Sequence, residues 1–138
     1  MKGFTINELK VGQSASFSKT VTESDVYLYA GVTGDINPAH INHEYAKDTL
    51  FKERIAHGML SAGLVSAVLG VHLPGPGTIY MGQTLKFTAP VKFGDTITAT
   101  AEVSELIVDK NRVKLKTTCT NQEGTVVLEG EATVMAPK

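Results

Sequence analysis

Asp35 and His40 stand on one short run, GDINPAH, and the pair has the residue types and the spacing to handle a water molecule. A carboxylate and an imidazole held one water apart divide the work of general base and general acid. Adding water to an activated double bond, or removing it, requires that division. Pro38 fixes its own φ and pushes Asn37 away from the α region, so the chain from Asp35 to His40 is expected to be a stiff, bent loop and not a helix. The same residues also read as a solvated turn, with Asp35 and Asn37 as turn formers and His40 on the surface.

The downstream stretch of the chain favours chemistry. Residues 56–72 read AHGMLSAGLVSAVLGVH, without an acidic, lysine or arginine side chain. A helix apolar almost all round is a buried helix, and this one is too short to span a bilayer, which takes about 20 mostly apolar residues. Gly58 lies in its first turn, where backbone N–H groups lack intrahelical acceptors and the helix dipole is positive. A glycine there lets a ligand approach, and such an amide stabilises a thioester oxygen as it becomes an enolate.

Two groups of elements are expected to position these residues. Ser14 to Val21 reads as a strand. Thr22 or Ser24 caps a helix with Glu23 and Asp25 in its first turn, ending at Gly34. His43 to Phe51 reads as a short helix and Ala56 to Val71 as the long buried one. After the breaker LPGPG come four strands, Thr78 to Thr88, Thr96 to Val108, Arg112 to Asn121 and Val126 to Met135. Val113, Leu115 and Thr117 alternate with Lys114, Lys116 and Thr118, so one sheet face is largely polar. The expected class is α+β, an antiparallel sheet wrapped round a long buried central helix.

Composition is consistent with this. With 138 residues, 42% hydrophobic and 20% charged, the chain makes one domain, residues 1–138. A net charge of −1 gives no reason to expect nucleic acid or an anionic membrane as partner. The start, MKGFTINELKVGQ, has no apolar segment typical of a signal peptide, so the cytoplasm is the expected location. The single cysteine, Cys119, lies on a strand pattern and reads as structural.

GDINPAH, the AHGML helix start and the segment GTIYMGQTLKFTAPVKFGDTI together resemble the MaoC-like dehydratases, in particular their (R)-specific enoyl-CoA hydratases. The resemblance runs from about Thr22 to the C-terminus. It implies a single hot-dog domain, a homodimer or dimer of dimers, and reversible addition of water to trans-2-enoyl-CoA giving (R)-3-hydroxyacyl-CoA. It matches Asp35 and His40 to the catalytic pair, Gly58 to the oxyanion-hole amide and Ser66 to a hydroxyl that supports the site. The acyl-CoA thioester is substrate, and no cofactor or metal is implied.

The residues alone leave several roles open. His57 either lines the pocket and orients the loop or caps and packs the helix start. Leu69 is either a wall for the acyl chain or core. Ser66, without the resemblance, would bond back to a carbonyl on its own helix. His40 and His43 could ligate a metal, but no further ligands are apparent near them. Lys52, Arg54, Lys86 and Lys92 are either contacts for the phosphates of coenzyme A or scattered surface cations. A thioesterase of the same fold and a non-catalytic acyl-CoA-binding dimer are the alternative functions.

Overall fold

Thr22 and Asp25 cap each other reciprocally at the start of the first helix: the Asp25 N–H donates to the Thr22 hydroxyl at 3.1 Å, and the Thr22 N–H to the Asp25 carboxylate at 2.9 Å. This capping box follows strand β1 (Ser14–Thr20) and opens α1 (Glu23–Thr33). Gly34 ends α1 at φ 82°, a left-handed conformation that glycine adopts without steric cost. The computed structural model describes residues 1–138 and continues with α2 (Pro38–Ile41), α3 (His43–Ala46) and α4 (Gly58–Ala67). A π-helical turn, Val68–His72, extends α4. The remaining strands are β2 (Ile79–Gln83), β3 (Lys86–Phe87), β4 (Thr96–Ile107), β5 (Arg112–Thr120) and β6 (Val126–Met135).

The strands form one antiparallel sheet in the order β1-β4-β5-β6-β2, with β3 also on β6. Alternation decides its faces. Val113, Leu115, Thr117 and Cys119 are buried, while Lys116 between them is exposed. Helix α4 packs on β4, β5 and β6. Leu64, Val65, Val68 and Leu69 join Ile97, Val103, Leu115 and Leu128 in one hydrophobic core of 24 residues. Burying each such side chain contributes roughly 1.5–3 kcal/mol relative to leaving it exposed. A sheet curled round a central helix is the hot-dog architecture that the resemblance implies.

Four expectations need correction. The stretch from Asp35 to His40 is not all loop, because Pro38 opens the four-residue helix α2. Asn37 does avoid the α region, at φ −51° and ψ 126°, but it does so as the N-cap of that helix, accepting the Ala39 N–H at 3.0 Å. Proline restricts the residue before it and is itself at home in a first helical turn.

The central helix is not buried all round. Met59, Gly63, Ser66 and Gly70 are exposed along one stripe, while Leu60, Ser61, Leu64 and Val65 turn inward. Uniform apolarity left the sequence with no moment to show which face is covered.

The expected strand from Thr78 to Thr88 is broken into β2 and β3. Its register against β6 shifts between Tyr80 and Gly82. Beyond that shift the Gln83 side chain donates to the Thr84 carbonyl at 2.8 Å and to the Thr117 hydroxyl at 2.9 Å. The expected helix from His43 to Phe51 is likewise shorter, ending at Ala46.

Candidate active site

Asp35 comes directly after the left-handed Gly34, so its position is set by what holds its own backbone. The Thr33 hydroxyl accepts the Asp35 N–H at 3.1 Å while donating to the Tyr29 carbonyl at 2.8 Å. The Asn37 N–H donates to Asp35 Oδ1 at 3.3 Å, which leaves the second carboxylate oxygen free of protein donors. His40 sits on α2, where its Nδ1 lies 2.7 Å from the Ile55 carbonyl. A carbonyl can only accept, so Nδ1 carries the proton and Nε2 of the neutral ring is a free base. The Ile55 N–H in turn donates to the Ala39 carbonyl at 3.2 Å, so residues 39–40 and 55 are tied in both directions.

His57 completes the group. It is 2% exposed, its Nε2 donates to the Asp35 carbonyl at 2.8 Å, and its ring lies 3.8 Å from that of His40. Ligand atoms of Asp35, His40 and His57 all fall within 4.8 Å of one another. The sequence around His40 offers only His43 as a third member; His43 is exposed on α3 and takes no part, and the place belongs to His57, distant in the chain. Each imidazole gives one nitrogen to a carbonyl and keeps the other, so the three types also match a metal-ligand set that the residues around His40 did not disclose, and His57 Nδ1 is buried without a partner. The free carboxylate oxygen of Asp35 and Nε2 of His40 equally suit proton transfer.

These residues open on a cavity of about 450 Å³ lined by Asp35, His40, His57, Gly58, Ser61 and apolar side chains that include Phe51, Ile55 and Phe87. Gly58 is at the first position of α4, and none of the chain's turn, loop or cap hydrogen bonds takes its N–H. A Cβ at Gly58 would meet the Phe87 ring at 2.8 Å, so glycine is what lets that ring and the helix start share the cavity wall. A carboxylate, a free imidazole nitrogen and an unpaired helix-start amide thus meet at an apolar cavity.

A family model described as MaoC like domain matches residues 7–126. The chain belongs to the MaoC-like family. Over 130 residues this MaoC-like chain is 62% identical to an (R)-specific enoyl-CoA hydratase of Rhodospirillum rubrum, covering 94% of the chain and 90% of the relative. It is 48% identical over 131 residues to a 3-hydroxybutyryl-CoA dehydratase of Methylorubrum extorquens, covering 95% and 83%. A solved R-hydratase from Pseudomonas aeruginosa in the unliganded form superposes with a TM-score of 0.93 at 51% identity, covering 99% of this chain and 88% of that one.

Two of the remaining sequence candidates lie elsewhere in the MaoC-like fold. Ser66 is exposed and does not line the cavity. At about 100° per residue it is turned well away from His57 and Ser61, which share the cavity side of the helix one turn apart. Leu69 is 1% exposed within the core, so of its two readings the structure gives core. Among the cations, Arg54 is engaged by Glu23 at 2.9 Å and by the Tyr27 hydroxyl, and Lys92 faces Glu53 at 3.7 Å. The missed lining residue, Ser61, could be found only from its spacing of four from His57.

Burial pushes the His40 pKa below the ordinary histidine value; the Ile55 carbonyl raises it, His57 lowers it and Asp35 raises it by smaller amounts. His40 therefore stays neutral, with Nε2 available, to lower pH than an ordinary histidine. The acid limb of kcat/KM, measured from about pH 5 to 8, is expected below the ordinary histidine value, and a limb at or above it would remove His40 from the rate law. The same shift makes neutral His40 stabilising above the unfolded-state pKa. That contribution is lost as the pH falls from there through the lower folded-state pKa, because over that span the unfolded chain takes up the proton more readily.

Proposed function

We propose that this MaoC-like chain is an (R)-specific enoyl-CoA hydratase, a hydro-lyase that adds water reversibly to trans-2-enoyl-CoA. The observation that carries the reading is the convergence of Asp35, His40 and the Gly58 amide on one apolar cavity. The names and identities of the relatives supply the reaction and its hand.

In this mechanism the free oxygen of Asp35 and Nε2 of His40 hold one water over C3 of the enoyl chain. Asp35 is the principal base, and attack at C3 moves charge onto the thioester oxygen. The Gly58 N–H receives that charge where the apolar lining keeps it strong, and the pair returns a proton to C2. Dehydration of the (R)-3-hydroxyacyl thioester is the same path reversed. The thioester polarises its own double bond, so neither metal nor redox cofactor enters the scheme. Ile55, Phe51 and Phe87 provide apolar surface for the acyl chain.

The reading includes a homodimer and a cytoplasmic location. Strand β2 is a sheet edge with Ile79, Tyr80 and Met81 exposed, a surface suited to pairing with a second copy. Ser66 faces outward with Gly63 and Gly70, so any support it lends a site requires a subunit covering that stripe.

The test is loss of enoyl-thioester absorbance with crotonyl-CoA, coupled in separate cuvettes to (R)- and (S)-specific 3-hydroxyacyl-CoA dehydrogenases. Rapid loss with only the (R) product is expected. Release of free coenzyme A instead would make the protein a thioesterase, and binding without turnover across short and medium chains would make it an acyl-CoA-binding module.

A further inference from the structure

We propose that His57 is a positioning residue for the hydration: it holds Asp35 and His40 in register by donating from Nε2 to the Asp35 carbonyl and packing its ring against that of His40. The inference rests on the reaction proposed above and assigns a task to the third member of the site.

The Asp35 backbone lies between the end of α1 and the cap of α2, outside any regular ladder. Only two side chains hold it, the Thr33 hydroxyl on its N–H and the His57 imidazole on its carbonyl. The His57 ring packs at tilted angles against two others, its centroid 3.8 Å from that of His40 and 4.6 Å from that of Tyr29. It is rooted at the N-cap of α4, directly before Gly58. One ring therefore links the base, its partner and the start of the helix that presents the amide. It acts through Asp35 and His40. A displacement of about 1 Å in such a group costs on the order of 100-fold in rate.

The other end of the ring separates this role from simple packing. Nδ1 is buried with no hydrogen-bond partner, an arrangement that costs stability. A core filler of the same shape without nitrogens would avoid that cost. What an apolar ring cannot do is donate to the Asp35 carbonyl, and that donation requires the Nε2–H tautomer.

The experiment compares His57→Gln with His57→Asn in the crotonyl-CoA assay, with melting temperatures. The glutamine amide reaches the position of Nε2, whereas the asparagine amide stops near Nδ1. The expected result is a kcat at least about 10-fold lower for His57→Asn, with KM within about twofold, and a kcat within about threefold of the parent for His57→Gln. Nitrogen-15 NMR of the unmodified protein is expected to show His57 as the Nε2–H tautomer. Parent-like kcat in His57→Asn, a His57→Gln as slow as His57→Asn, or the Nδ1–H tautomer would each overturn the assignment. Should His57→Asn not fold, the tautomer and the His57→Gln rate decide. Failure of the hydratase reading looks different, because the unmodified protein would then leave crotonyl-CoA and longer enoyl thioesters unchanged.

Discussion

Asp35→Ala and Asp35→Asn are expected to lower kcat for crotonyl-CoA hydration by at least about 100-fold, with melting temperatures close to that of the parent. The asparagine variant is the sharper of the two, since it keeps the size of the side chain and removes only its capacity to take a proton. Little stability rides on this carboxylate. It is exposed, and its one protein hydrogen bond is the 3.3 Å contact from the Asn37 N–H. His40→Ala should cost a similar factor in rate, but with a measurable loss of stability, because the part-buried Ile55 carbonyl loses its donor. An unpaired group of that kind costs about 1–3 kcal/mol. Turnover near the parent value in either Asp35 variant would sink the water-activating pair.

Gly130→Ala is expected to be the most destabilising single-methyl change in the sheet. A Cβ at Gly130 would lie 1.9 Å from the Thr84 carbonyl oxygen and 2.8 Å from its carbon, both backbone atoms that no rotamer can withdraw. Thr84 is further pinned to the same strand, with its N–H donating to the Glu131 carbonyl and its hydroxyl accepting the Glu131 N–H, each at 2.9 Å. Relief requires moving the break between β2 and β3 away from β6. The expected cost is on the order of 3 kcal/mol, read as a fall of roughly 10 °C in Tm. Activity should fall as well, because Phe87 of β3 and the segment after it line the cavity. A melting temperature equal to the parent's would mean that the Thr84 carbonyl does not rest on Gly130.

How much of this could be read from the chain depends on how local each feature is. Asp35 and His40 are five residues apart, and the proline between them constrains the path, so their juxtaposition was legible. The strand Val126 to Met135 was legible to the residue, because its alternation comes from its own side chains. The break in the expected strand from Thr78 to Thr88 was not, since the close approach it makes to β6 is permitted by a glycine more than forty positions away on that strand. The same holds for His57, which joins the site only when α4 docks beside the turn that ends α1. The choice between Ser61 and Ser66 was hidden for another reason. Leu, Val, Ala and Gly surround both, and on a helix without a polar face the one mark of which serine turns inward is the spacing of four between Ser61 and His57.

Ile55 performs two tasks with two different atoms. Its side chain is part of the cavity wall, and its carbonyl oxygen holds the proton on Nδ1 of His40. Because the anchor is main chain, any amino acid at position 55 brings the same oxygen to the same imidazole. The wall can therefore be recut, larger or smaller, without altering which nitrogen is left basic. A lineage drifting toward a different acyl group can change its preference there while its proton chemistry stays where it was.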